Sequence, residues 1–222
     1  LDKHLRMPTL RSDIQGMGWM FALPIVVLFV AALYIYITDA GYEKPLILTE
    51  VKQALGILPL PLVSLWVIGL FRDLVKPDSK ELLLSLPVNE LTFGLLRVFR
   101  VLALYLLVFW VPTSYLMAHT RETITAADIY LPMVAILFLV SLSFALILLV
   151  KSVEVCLTII GVYCTMSYMM RGGGMGTLYV FHWSLPKPYA ASASVAWTLA
   201  VGSICLLIVG QWLLYRREYL IK

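Results

Sequence analysis

The sequence predicts an all-α polytopic membrane protein with six transmembrane helices, and three observations carry that reading. Of the 222 residues, 61% are hydrophobic and only 14% are charged, against roughly 25% charged in a soluble domain. Mean hydropathy is +0.91, an apolar excess too large for the core of one small domain to hide. Apolar stretches recur at about 20 residues each, the length that crosses a hydrocarbon layer of roughly 30 Å as a helix. Residues 1–222 thus read as a single transmembrane domain.

Residues 1–17 read LDKHLRMPTLRSDIQGM. Leu5, Leu10, Ile14 and Met17 recur near helical spacing with Lys3, Arg6, Arg11 and Asp13 between them, and Thr9 is placed to cap. This predicts an amphipathic helix lying in the cytoplasmic interface. It does not read as a cleavable signal peptide, having no small-residue cleavage site. The six spans are expected at about 18–38, 54–71, 91–118, 129–150, 152–170 and 192–215. Pro59 and Pro61 predict an irregular start to the second. Arg97 and Arg100, near the inner end of the third, are expected to snorkel to headgroups.

Charge sets the orientation. With both termini inside, twelve of the seventeen Lys and Arg fall on the inner side and five, including Lys52, on the outer. That is a positive-inside bias, and it predicts a multi-pass protein of the cell (plasma) membrane with both termini cytoplasmic. The net charge of +4 and the pI near 8.9 are explained by the same topology. No stripe of basic residues interleaved with exposed aromatics points to nucleic acid. The tryptophans, Trp66 and Trp183 among them, are expected near span ends as interfacial aromatics.

The loops are unequal. Lys151 and Glu154 sit in a tight inner hairpin between spans four and five, where they can pair or touch a cytoplasmic partner. The outer segment 171–191, RGGGMGTLYVFHWSLPKPYAA, is apolar enough to dip toward the membrane or pack on the span tops. In the sixth span, Ser192, Ala196 and Ala200 repeat every four residues. This small-xxx-small spacing lets helices approach closely, either within the chain or along a pathway or dimer seam.

Catalytic chemistry finds little support. Gly172 to Thr177 lacks the lysine and the preceding strand of a phosphate loop. His4, His119 and His182 lie in separate segments with no HExxH, so no metal site is signalled. There is no GxSxG elbow. Cys156, Cys164 and Cys205 lie in apolar segments and read as small buried hydrophobes. No buried Asp, Glu or His relay is legible in the spans, which argues against a proton-coupled carrier.

The long charged interruption at 72–90 is the most informative stretch. Pro77-Asp78 signals a turn, Ser79 can cap a short helix, and Pro87 ends it. Leu82, Leu83 and Leu86 would then be exposed on a cytoplasmic loop, and exposed leucines need a partner or the membrane. The run Glu81-Leu82-Leu83-Leu84-Ser85-Leu86-Pro87-Val88-Asn89-Glu90, preceded by a basic loop, resembles the inner loop of permease subunits of type-2 ATP-binding-cassette (ABC) transporters. In that family a basic residue often follows the Pro-Val pair. Here Asn89 and Glu90 follow, and the next arginine is Arg97.

The resemblance implies a short cytoplasmic coupling helix between spans two and three, and a small six-span exporter permease without its own ATPase. ATPase docking would fall on Ser79, Lys80, Glu81, Leu82, Leu83, Leu84, Ser85, Leu86 and Pro87, helped by Lys151 and Glu154. ATP and Mg would be bound by the partner ATPase, and this chain would hold no cofactor and no catalytic residue. A second permease subunit, identical or different, would complete the pathway among membrane lipid. The scarcity of charge in the spans favours an amphipathic peptide, lipid or hydrophobic compound as cargo. The alternatives are a substrate-binding membrane component of a small-molecule importer, with 171–191 as its lid, and a non-transporting immunity or scaffold protein.

Overall fold

A computed structural model describes residues 10–42, 47–75, 90–120, 122–170, 176–185 and 192–216. Among them no β-strand forms, and six helical stretches are long and apolar enough to cross a membrane. The helices are α1 (Leu10–Met17), α2 (Trp19–Tyr42), α3 (Leu48–Ile57), α4 (Val63–Val75), α5 (Glu90–Phe93), α6 (Leu95–Ala118), α7 (Ala126–Val150), α8 (Val153–Met170) and α9 (Ser192–Tyr215).

The second apolar stretch is longer than the sequence suggests, because Leu48–Val75 runs as one 28-residue stretch broken in the middle. Pro59 and Pro61 supply no backbone N–H, so the helix stops at Ile57, passes through a 3-10 turn at Leu60–Leu62, and resumes at Val63. The break therefore lies mid-span and not at the start. The Tyr105 hydroxyl of α6 donates to the Pro59 carbonyl, which also accepts from the Leu62 backbone N–H at 3.1 Å in the 3-10 turn. Irregular backbone at membrane depth is stable only where protein satisfies it in this way.

This broken span and α7 form the centre of the bundle. Their most apolar windows are 67% and 61% buried within the protein, whereas the windows of the other four spans are buried by a third or less. A helix apolar on every side belongs in such a central position. The exposed faces of the outer helices, such as Phe29 and Leu33 on α2 and Ile204 and Ile208 on α9, suit contact with lipid.

Lipid tails are as apolar as leucine, so close packing and hydrogen bonds must hold the bundle together. The most extensive pairing joins α7 to α9. Its seam on α9 runs through Ser192, Val195, Leu199, Ser203 and Gly210, all buried. Gly210 lies so close to α7 that a Cβ there would stand 2.5 Å from the Phe144 ring. Ser192 accepts a hydrogen bond from the Tyr130 hydroxyl at 3.0 Å. Ala196 and Ala200 are half-buried beside this seam.

An aromatic chain crosses the interior. Phe21 stacks on Trp66 at 4.7 Å, Trp66 meets Tyr105 edge-on at 5.2 Å, and Phe109 leads on to Trp183 at 6.0 Å. Trp66 and Trp183 are thus buried packing residues and not interfacial anchors. The Trp66 indole N–H is satisfied by the Phe21 carbonyl at 2.9 Å. Cys156 is buried, but Cys205 faces outward from α9, unlike the expectation that all three cysteines are interior.

Candidate functional site

Two buried charge clusters mark opposite ends of the bundle. The first is built around Asp13 on α1. At Gly18 the backbone takes φ +58, a left-handed turn that glycine adopts without strain and that folds α1 back from α2 onto α4. Gly69 of α4 makes the approach possible, since a Cβ there would lie 3.3 Å from Met20 Sδ and 3.4 Å from Met17 Cγ. Asp13 and Met17, one turn apart, form the buried face of α1.

Burying a carboxylate requires cations and donors. Arg97 Nε and Nη2 both donate to Asp13 Oδ1, at 3.0 and 2.7 Å. Arg100 Nη1 stands 3.7 Å from Oδ2. The Arg97 guanidinium is also held over the Phe93 ring at 4.8 Å and near the Phe71 ring at 5.8 Å. Arg97 therefore turns inward, contrary to the expectation that it snorkels, because a buried carboxylate offers more than hydrated headgroups do. From the other side, Arg72 near the end of α4 donates to the Gly16 carbonyl at 3.2 Å. The helix expected to lie in the membrane interface is, over Leu10–Met17, docked on the protein.

The consequence concerns residues 76–89, which lie between α4 and α5. Arg72 precedes this segment and Arg97 follows it, and both hold α1. The expected docking residues Ser79, Lys80, Glu81, Leu82, Leu83, Leu84, Ser85, Leu86 and Pro87 lie outside the described residues. Lys151 and Glu154 are placed. Lys151 ends α7 in the left-handed region, at φ 57 and ψ 27, with its N–H bonded to the Ile147 carbonyl at 3.2 Å. Glu154 is exposed in the first turn of α8, where a negative charge complements the helix dipole.

The second cluster is an ion pair between Lys52 of α3 and Asp128 of α7, with side chains 7% and 2% exposed. Asp128 also accepts from the Thr125 backbone N–H and hydroxyl, each at 2.8 Å, closing the capping box that starts α7. Lys52 is thus part of the second span and not an outer-loop charge. A Thr-x-x-Asp signature is readable in the sequence at residues 125–128, but its partner 76 residues earlier is not.

The turn Val180–Ser184 settles onto α3 and α7, with Val180, Phe181 and Trp183 buried. Gly56 provides the seat, since a Cβ there would lie 3.2 Å from the Trp183 ring. The Tyr163 hydroxyl holds the preceding turn by donating to the Leu178 carbonyl at 2.7 Å. Burial pushes the His182 imidazole below its ordinary pKa near 6.5, partly opposed by a backbone hydrogen bond.

Each end of the bundle is closed by a buried ionic contact between helices distant in sequence, and the broken second span contributes to both ends. No family model, curated protein or solved structure matches the chain. Among the described residues, fold and site together give an all-helical chain with six stretches long and apolar enough to cross a membrane and a short helix, Leu10–Met17, docked on them.

Proposed function

We propose that this chain is the transmembrane permease subunit of an ATP-driven ABC transporter, exporting an amphipathic peptide, lipid or hydrophobic compound. The reading starts from the resemblance of residues 81–90 to the inner loop of type-2 ABC permeases. The structural observation that supports it most is the double grip of α1 on both stems of the segment 76–89, through Arg72 and through Arg97. A loop that receives force from an ATPase needs stiff stems, because a slack lever transmits no rigid-body motion.

In this reading both termini face the cytoplasm of a plasma membrane. The ATPase docks on residues 79–87, with Lys151 and Glu154 at the same face. ATP and Mg are held by that partner, and a second permease subunit completes the pathway. Closure of the ATPase pushes the loop, the push reaches α4, α6 and α1 together, and the buried contacts at the two ends exchange. No residue of this chain is assigned a catalytic role.

The experiment is affinity capture of the tagged chain from its native membranes, followed by identification of co-purifying ATPases. The wild-type chain should retain an ABC ATPase, and Leu83→Asp/Leu84→Asp should lose it while still reaching the membrane. Retention of the ATPase by that double variant would sink the docking assignment.

A further inference from the structure

An apolar groove of about 650 Å³ opens on the outer surface of the bundle between the start of α6 and the second half of α9. Leu95 and Phe99 form one wall, and Ile204, Ile208 and Trp212 form the other, with Gln211 on the floor. Two features distinguish it from an ordinary lipid-facing surface. The Gln211 Oε1 atom is buried and receives no hydrogen bond among the described residues. At the mouth, the exposed Arg216 places its guanidinium 4.4 Å above the Trp212 ring, so a cation is fixed at the end of an apolar slot.

We propose that this groove binds one anionic phospholipid, with an acyl chain along α9 and its phosphate on Arg216. The slot accepts a flexible hydrocarbon, Trp212 lies in the last turn of α9, where an indole suits the headgroup boundary, and Arg216 supplies the charge complement. A hydroxyl on the headgroup can also donate to the Gln211 Oε1 atom. Basic pockets between helices at a cytoplasmic membrane face take anionic headgroups for the same electrostatic reason. The proposal does not require the ATPase, and its test is independent of orientation.

The test uses tryptophan quenching in vesicles. The purified chain is reconstituted into phosphatidylcholine containing increasing fractions of either phosphatidylglycerol or phosphatidylcholine with brominated acyl chains. The Trp212 signal is isolated by difference with Trp212→Phe. Trp197, 72% exposed on the opposite half of the same helix, is isolated likewise with Trp197→Phe as a reference. Trp212 should reach half-quenching at about a fivefold lower fraction of the anionic lipid than of the neutral one, the preference expected of one cation near the surface. Trp197 should show no preference, and Arg216→Gln should abolish the preference of Trp212. Equal quenching of Trp212 by both lipids reduces the groove to a general lipid contact and overturns the proposal. Absence of quenching by either lipid also overturns it, because a protein segment or a second copy then fills the groove.

Discussion

Asp13 and Arg97 lie 84 residues apart and meet through two hydrogen bonds to a single carboxylate oxygen, the shorter 2.7 Å long. Their side chains are 1% and 12% exposed. Removing one partner leaves the other charged and buried, which costs about 3–5 kcal/mol in comparable pairs. Asp13→Ala should therefore destabilise the protein strongly and release α1, while Asp13→Asn, which keeps an acceptor, should be milder. Thermal denaturation in detergent, together with the rate of proteolysis near Gly18, checks both effects. A wild-type melting profile and wild-type protease resistance for Asp13→Ala would mean that α1 is held by Met17 and its apolar neighbours alone.

The Lys52–Asp128 pair predicts an unequal response. Asp128→Ala removes both the cation's partner and the cap of α7, so it should cost more than Lys52→Met, which leaves Asp128 hydrogen-bonded to Thr125. The double variant Lys52→Met/Asp128→Leu removes both charges and should be less destabilised than the sum of its single changes. A double-mutant cycle by denaturation measures the coupling, and strict additivity would show that the two groups do not interact.

Gly210 tests the α7–α9 seam. With only 2.5 Å between a Cβ at Gly210 and the Phe144 ring, Gly210→Ala should cost about 1–3 kcal/mol, as overpacking in a filled interior does. Phe144→Leu in the same chain should recover part of that loss. The comparison requires only melting temperatures of the two single variants and the double variant.

The turn Val180–Ser184 predicts a pH dependence. Burial lowers the His182 pKa below its ordinary value near 6.5, so the unfolded chain binds the proton more readily than the folded one. The contribution of neutral His182 to stability is then full above about pH 6.5 and is lost as pH falls through the lowered folded value. Fluorescence of Trp183, isolated by difference with Trp183→Phe, should report loosening of the turn on acidification. His182→Gln should remove that dependence, and an unchanged pH profile in His182→Gln would assign it to another group.

Much of the bundle was legible because hydropathy is a local property. Six apolar stretches can be read without knowing what any of them touches. The second span is underestimated because Lys52 looks like a loop charge, and only the partner Asp128 explains how it can sit inside the protein. Asp13 looked like the polar side of an amphipathic helix for a similar reason, since nothing within a turn or two of it announces Arg97. Pro59 and Pro61 signalled a break, but its position depended on where the span began. Trp66 and Trp183 followed the general habit of tryptophan at membrane surfaces and departed from it here because a ring on α6 and a glycine on α3 made room inside. Pairings across many tens of residues are properties of packing, and no pattern in one sequence carries them.

A photoreactive amino acid at Leu83 tests most directly the proposed docking of an ATPase on residues 79–87. Irradiated in native membranes, this position should cross-link to an ABC ATPase, and the yield should change when a hydrolysis-resistant ATP analogue is added. Cross-links to lipid alone, or to no ATP-binding protein under either condition, would contradict the account.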